Sequence, residues 1–317
     1  LIYAELVAGF IYLLGGGDVL VRGAVALARR LRVPETIVAL TIVGLGTSLP
    51  ELVVSVRASI AGYPGLALGN VVGSNIANVL LVGGLAATVF PIRTGHRTIA
   101  RSGVAMLAIS LLFVGLCVQG PGLTRSDGGL LLGLLFVGLV LQFRDAFRVQ
   151  RPVETTAIDW VLGLPSRLPV ILLFIGIGLV VLPLGADLLV DAAVDIAGRL
   201  GVSETVIGLT VVAVGTSLPE VATTVLAARR KKTGMVVGTI VGSNNFNILA
   251  IMGAATVAGS GPVAIPGRFL LLDLPLMIVV SLILMSFSWR RRLIRRGTGV
   301  AFLVTYAVYI GALVLFG

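Results

Sequence analysis

Apolar residues in this chain fall into long runs separated by short polar connectors. Ten runs can be marked, at 2–28, 36–61, 66–90, 99–118, 128–143, 168–198, 204–228, 235–258, 269–289 and 298–316. A helix needs about 20 mainly apolar residues to cross a bilayer, so the pattern predicts an all-α polytopic membrane protein with ten transmembrane helices. Several runs are interrupted by Gly or Pro, and the run at 128–143 needs flanking residues to complete a span. The first run carries Glu5 and Asp18 and no basic leader, so it reads as a span and not as a cleaved signal. The longest polar stretch, about 144–167, is too short for a folded domain. It divides the chain into 1–143, a connector at 144–167, and 168–317.

The connectors alternate in charge. Those after spans one, three, five, seven and nine hold 19 of the 24 basic residues, while the other four hold only Arg125, Arg199 and Arg268. Basic loops stay cytoplasmic, so the odd connectors are expected inside and both termini outside. Apart from Arg101, at the edge of the fourth run and counted with its connector, only Arg22 and Arg57 fall within predicted spans.

Composition agrees. Of 317 residues, 57% are hydrophobic and 12% charged, against about 45–50% apolar and about 25% charged in soluble domains. A soluble enzyme is excluded. The net charge of +10 is a topology signal and not a nucleic-acid footprint, because nearly all of it sits in connectors. One cysteine, Cys117 in an apolar run, and one histidine, His96 in a connector, exclude an internal disulfide and argue against Cys- or His-based metal sites and catalysis.

The chain also repeats itself. ETIVALTIVGLGTSLPELVVSVRA from Glu35 matches ETVIGLTVVAVGTSLPEVATTVLA from Glu204, and GNVVGSNIANVL from Gly69 matches GTIVGSNNFNIL from Gly238. The offset is 169 throughout, and it also relates Asp18 to Asp187. A unit of five spans is odd, so the second copy is expected upside down relative to the first. Two inverted five-helix repeats are a recurring architecture of secondary transporters, whose sites lie at the membrane midplane on broken helices.

Glu51 and Glu220 lie deep inside apolar runs. A charge at the bilayer centre costs about 2.5–3.5 kcal/mol on insertion scales, so an intramembrane acid points to function; a structural acid paired with a base is the alternative. Gly44, Thr47, Ser48 and Glu51 fall on one helical face, as do Ala213, Thr216, Ser217 and Glu220. Ser74 and Asn78 are one turn apart on the next span, and so are Ser243 and Asn247. Pro50 and Pro219 lack an amide N–H and free the carbonyls of Gly46 and Gly215, a break tolerated where backbone lines a cavity. Every side chain offered is an oxygen ligand, which suits a hard cation and disfavours zinc or copper. Two carboxylates balance one divalent ion, or monovalent ions and protons in its place. Asn75 and Asn244 lie off this face and are expected to bond helix to helix. Gly69-x-x-x-Gly73 and Gly238-x-x-x-Gly242 would let backbones approach.

The paired GTSLPE and GSN-x-x-N motifs resemble the two repeats of the calcium/cation antiporter superfamily, and most closely the prokaryotic sodium/calcium exchangers. The resemblance covers most of the chain. It implies a membrane antiporter that exports Ca²⁺ against inward Na⁺, needs no cofactor, and sits in the prokaryotic plasma (inner) membrane. It implies Glu51 and Glu220 as central ligands, with Thr47, Ser48, Ser74, Asn78, Thr216, Ser217 and Ser243 as side-chain oxygens and Gly44 and Ala213 as carbonyl ligands. It further implies that the first and sixth helices slide to switch access; Asp18 and Asp187 lie in them and are read as hinge or ion-path residues. Asp191 and Asp195 lack acidic counterparts and read as near-surface. Asn247 stands where potassium-dependent relatives carry Asp, which leaves two formal negative charges and favours K⁺-independent exchange. There is no room for a large cytoplasmic regulatory domain. A proton/calcium antiporter of the same superfamily and a passive cation channel are the rival readings; an intramembrane enzyme would need a nucleophile–base pair that the spans do not offer. The expected partners are Ca²⁺, Na⁺ and lipid, with no nucleic acid and no obligatory protein partner.

Overall fold

The computed structural model describes residues 2–30, 44–94, 97–120, 122–148, 165, 167–229, 231, 233–290 and 292–316. His96, residues 36–43 at the start of the second span and most of the 144–167 connector lie outside the described residues.

The chain is almost wholly helical. In order come α1 (Ile2–Arg30), α2 (Gly44–Thr47), α3 (Leu49–Ile60), α4 (Pro64–Val89), α5 (Arg97–Val118), α6 (Arg125–Arg148), α7 (Leu168–Leu200), α8 (Glu204–Thr216), α9 (Leu218–Arg229), α10 (Thr233–Ala258), α11 (Phe269–Trp289) and α12 (Arg296–Phe316). Among the described residues, six helices are long and apolar enough to cross a membrane: α1, α4, α7, α10, α11 and α12. The pair α8 and α9, bent by 45°, makes a seventh span. The tally of ten expected from the runs is not reached on length and composition alone. The start of the α2–α3 span lies outside the described residues, and α5 counts among the described residues only as the shorter apolar stretch Gly103–Val118. The short fifth run extends at both ends into α6, which carries Arg125, Asp127 and Arg144.

The 169-residue offset reappears in the backbone. α4 and α10 begin and end 169 residues apart, and each opens into a π-helical turn, at Asn78–Val82 and Asn247–Met252. The breaks between α2 and α3 and between α8 and α9 fall at Ser48 and Ser217. Two short antiparallel pairings tie one half to the other. Ile92–Arg93 pairs with Leu293–Ile294, and Gly122–Leu123 with Val263–Ala264. Each pairing joins the end of a half's third span to the last connector of the other half.

Burial separates two layers. In the most apolar stretch of α4, 83% of residues are buried, against 22% in the corresponding stretches of α1 and α7. α4, and α10 with 67% of its most apolar stretch buried, are therefore wrapped by other helices. The outer helices expose large apolar side chains, among them Ile11, Phe136, Leu179, Val180 and Val308, as lipid-facing helices do.

Glycines set how closely the layers meet. Gly9, Gly16 and Gly23 recur every seven residues on α1, and Gly178 and Gly185 do so on α7. A Cβ on Gly9 would lie 3.0 Å from the Gly185 carbonyl, and one on Gly178 would lie 2.9 Å from that of Gly16. The two helices thus touch backbone to backbone. Gly69 and Gly73 bring α4 equally close to α8, where a Cβ on Gly73 would lie 2.8 Å from Ala213 Cβ and from the Leu209 carbonyl. This is the close approach expected of the first Gly-x-x-x-Gly. Gly238 and Gly242 have no such neighbour among the described residues. The segment that corresponds to the partner of Gly69 and Gly73 lies within 36–44, largely outside them.

A valine at Gly185 must push against the α1 backbone, and overpacking of this kind costs about 1–3 kcal/mol. Gly185→Val is expected to lower the melting temperature of the detergent-solubilised protein. Gly176→Val on the same helix, where nothing lies within 4 Å, is expected to leave it unchanged. Equal melting temperatures would refute the backbone contact.

Candidate functional site

The two breaks face each other at the centre of the molecule. At Ser48 (φ −94°, ψ 11°) and Ser217 (φ −81°, ψ 6°) the helices pause and restart. Proline follows two residues later in both, and it cannot donate to the preceding turn. The restart places Glu51 and Glu220 in the first turns of α3 and α9.

The halves exchange hydrogen bonds across this centre. Ser48 Oγ donates to Glu220 Oε1 at 3.1 Å, and Ser217 Oγ donates to Glu51 Oε1 at 3.3 Å. Ser243 Oγ, from α10, donates to Glu220 Oε1 at 3.4 Å and lies 3.5 Å from Ser48 Oγ. Thr47 and Thr216 set their hydroxyls beside Glu220 and Glu51. Thr216 also donates to the Val212 carbonyl at 2.9 Å. Gly44 opens α2, and Ala213 follows the π-helical turn at Gly208–Val212, with its carbonyl accepting from the Ser217 amide at 3.3 Å. A carbonyl has a second lone pair to offer.

Both glutamates are buried, 2% and 1% exposed. Among the described residues the ion pairs are Asp18–Arg22 and Asp187–Arg57, and neither involves a glutamate. The two carboxylates are close enough to repel each other. Five buried oxygens here have no protein partner: Glu51 Oε2, Glu220 Oε2, Ser74 Oγ, Asn78 Oδ1 and Asn247 Oδ1. A buried polar atom left unpaired costs about 1–3 kcal/mol, and a charge costs more. Such a concentration of acceptors from both halves is a chemically sound cradle for a hard cation.

Asn75 and Asn244 do bond between helices, as their position off the ligand face predicts: Asn244 Nδ2 donates to the Asn75 carbonyl at 3.2 Å. Their side-chain oxygens accept from Asn247 Nδ2 at 3.5 Å and Asn78 Nδ2 at 3.1 Å.

One residue of the site was missed by the repeat-based reading. Asn70 Nδ2 donates to the Glu51 carbonyl at 3.3 Å and to Ser55 Oγ at 2.9 Å, while its Oδ1 accepts from Thr216 Oγ1 at 3.2 Å. It braces Glu51 from one half against Thr216 from the other. Its repeat counterpart is Thr239, so duplication did not flag it. Asn70, Ser74 and Asn78 are spaced i, i+4, i+8 on one face, and that spacing was the available signal.

The aspartates of the outer helices lie elsewhere. Asp18 pairs with Arg22 one turn along α1 at 2.8 Å. Asp187 on α7 pairs with Arg57 on α3, with Nε at 2.6 Å and a second guanidinium nitrogen also in contact. Each of the two arginines inside the spans thus has an aspartate partner, and neither aspartate reaches the glutamates by a hydrogen bond. Asp191 and Asp195 are exposed, and Cys117 is a buried free thiol.

Comparison with known proteins agrees with this arrangement. The chain is 35% identical to the inner membrane protein YrbG of Escherichia coli over 95% of its own length and 93% of the relative's. It is 32% identical to the sodium/calcium exchanger MaX1 of Methanosarcina acetivorans over 96% of each chain. Among solved structures, the sodium-calcium exchanger NCX_Mj superposes with a TM-score of 0.67 at 30% identity, covering 98% of both chains. The sodium/calcium exchanger protein family matches residues 2–144 and 170–315. With nearly the whole chain matched on both sides of the central connector, this integral membrane protein belongs to the sodium/calcium exchanger family.

Proposed function

We propose that the protein is a secondary antiporter that exports Ca²⁺ in exchange for Na⁺. One observation carries this reading: three unpartnered neutral oxygens, on Ser74, Asn78 and Asn247, are buried beside the helices that carry two carboxylates, each with an unpartnered oxygen of its own, and among the described residues neither carboxylate has a basic partner. Ca²⁺ takes 6–8 oxygen ligands, and the proposed set is Glu51, Glu220, Thr47, Ser48, Thr216, Ser217, Ser74, Asn78, Ser243 and Asn247, with the carbonyls of Gly44 and Ala213. The names of MaX1 and NCX_Mj support the same pair of ions.

Residues 1–143 and 168–317 form two inverted five-helix repeats joined at 144–167. Support comes from the constant offset, the alternating basic connectors and the two cross-half strand pairings. Both termini lie outside the cytoplasm in the plasma (inner) membrane, a location also borne by the name of YrbG.

Alternating access follows from charge. Two bare carboxylates resist exposure to an apolar helix face, and a bound cation cancels that resistance. α1 and α7, locked together through glycines, can then move past the centre as one body. Ca²⁺ and Na⁺ compete for the same oxygens, so the fluxes are coupled without covalent chemistry. With Asn247 in place of a third acid, two negative charges must be balanced, and K⁺ is not required. The neutral hydroxyl and amide oxygens favour Na⁺ over H⁺ as counter-ion, because a proton needs no coordination shell.

Glu51→Gln and Glu220→Gln are each expected to abolish Na⁺-driven ⁴⁵Ca²⁺ uptake into proteoliposomes; uptake at the wild-type rate in either variant removes these glutamates from the site. In a second experiment, an outward Na⁺ gradient at fixed pH is expected to drive ⁴⁵Ca²⁺ accumulation, whereas a pH gradient without Na⁺ is not. The reverse result identifies a proton/calcium antiporter, and flux with no counter-ion identifies a channel.

A further inference from the structure

An asparagine amide has a donor end and an acceptor end of nearly the same size, so only its partners decide which way it points. Four buried asparagines at the centre of this protein are linked head to tail, and each chain ends on a methionine. Asn75 Nδ2 donates to the Met277 sulfur at 3.8 Å, and Asn244 Nδ2 donates to the Met106 sulfur at 3.7 Å. A thioether sulfur accepts and never donates, so it can be faced by the nitrogen of the amide but not, favourably, by its oxygen. The Met277 sulfur so turns the Asn75 oxygen the other way, and the Met106 sulfur shares that task for Asn244 with the Asn75 carbonyl, to which Asn244 Nδ2 also donates; the two oxygens accept from Asn247 and Asn78. With their nitrogens so engaged, Asn247 and Asn78 are left with Oδ1 as the free end, buried and without a protein partner.

We propose that Met106 and Met277 are positioning residues, whose sulfurs set the orientation of two successive amides and so aim the Asn78 and Asn247 oxygens into the cation site. The inference rests on the cation-site reading given above. Its support is the duplication of the whole relay. Asn75 and Asn244, and Asn78 and Asn247, are 169 residues apart; the methionines, on α5 and α11, are 171 apart. The sulfur meets the same amide nitrogen in both halves even though the methionines stand at a different offset from the asparagines. Both methionines are fully buried, so water does not stand in for the sulfur.

Leucine has nearly the volume of methionine, and such swaps are usually tolerated in cores, but it accepts no hydrogen bond. Met106→Leu and Met277→Leu are therefore compared with wild type in Na⁺-driven ⁴⁵Ca²⁺ uptake over a range of Ca²⁺ concentrations. In Met277→Leu the KM for Ca²⁺ is expected to rise about five-fold, the worth of one neutral hydrogen bond, and in Met106→Leu by less, because the Asn75 carbonyl still holds the Asn244 amide; the maximal rate and melting temperature stay unchanged. The decisive comparison repeats Met277→Leu in an Asn247→Asp background. A carboxylate presents an oxygen whichever way it turns, and it calls on Asn75 to donate, which sets the Asn75 oxygen against the sulfur. There Met277→Leu is expected to leave KM unchanged or lower it. An unchanged KM in the wild-type background, or the same loss in both backgrounds, reduces the methionines to packing and overturns the proposal.

A further readout needs no transported ion. The side-chain amide ¹⁵N–¹H resonances of Asn247 and Asn78 are expected to shift in Met277→Leu and Met106→Leu respectively, although the relay reaches them only through a second amide. Resonances that stay in place overturn the relay. Wild-type protein that takes up no Ca²⁺ under a Na⁺ gradient counts against the transport reading, and the resonances still decide the relay.

Discussion

Two carboxylates stand at the centre of this protein, close enough to repel each other, buried and, among the described residues, without a base. Like charges in a poorly polarisable interior repel strongly, and no arrangement of helices relieves that repulsion by itself. Much of the architecture follows from it. The helices break so that side chains and backbone turn inward at Ser48 and Ser217. Hydroxyls from the opposite half donate one hydrogen bond to each glutamate. The remaining carboxylate oxygens stay open, alongside neutral oxygens that have no other use. An interior built for stability alone would carry apolar side chains there, or at the least a base for each acid. The two arginines that the spans carry, Arg22 and Arg57, are instead paired with Asp18 and Asp187.

Much of this was legible in the sequence, because duplication turns a weak signal into a strong one. One buried glutamate is ambiguous; two, each after Thr-Ser at the same offset, are not. The breaks followed from proline chemistry, and the inter-helix bonding of Asn75 and Asn244 from their angular position. Unduplicated features were harder to see. Asn70 has threonine as its counterpart, so it escaped a reading organised by repeats, although it shares a face with Ser74 and Asn78. Asp18 and Asp187 were read as hinge or ion-path residues. The presence of one arginine within reach of each was a sign of pairing that periodicity along a single helix exposes only for Arg22.

Other features were out of reach for a different reason. The π-helical turns that begin at Asn78 and Asn247 are produced by packing and carry no propensity signature; such turns are frequent at functional sites. Glycine is common in membrane helices, so the seven-residue spacing on α1 and α7 gained its meaning only when the two backbones were seen to touch. The sulfur acceptors at Met106 and Met277 were equally silent, since an apolar residue in an apolar run attracts no notice.

The Arg57–Asp187 pair has a thermodynamic consequence. In a perfectly duplicated chain, two conformations that differ only by exchanging the roles of the halves have identical free energy, and the resting population divides evenly between them. The position that corresponds to Arg57 in the second half is Leu226, and Asp18 is already engaged along its own helix. A contact that fastens α7 to α3 therefore has no twin to fasten α1 to α9. Under the alternating access proposed above, the degeneracy is lifted by side chains outside the proposed ligand set, so the resting bias can change while those residues stay the same.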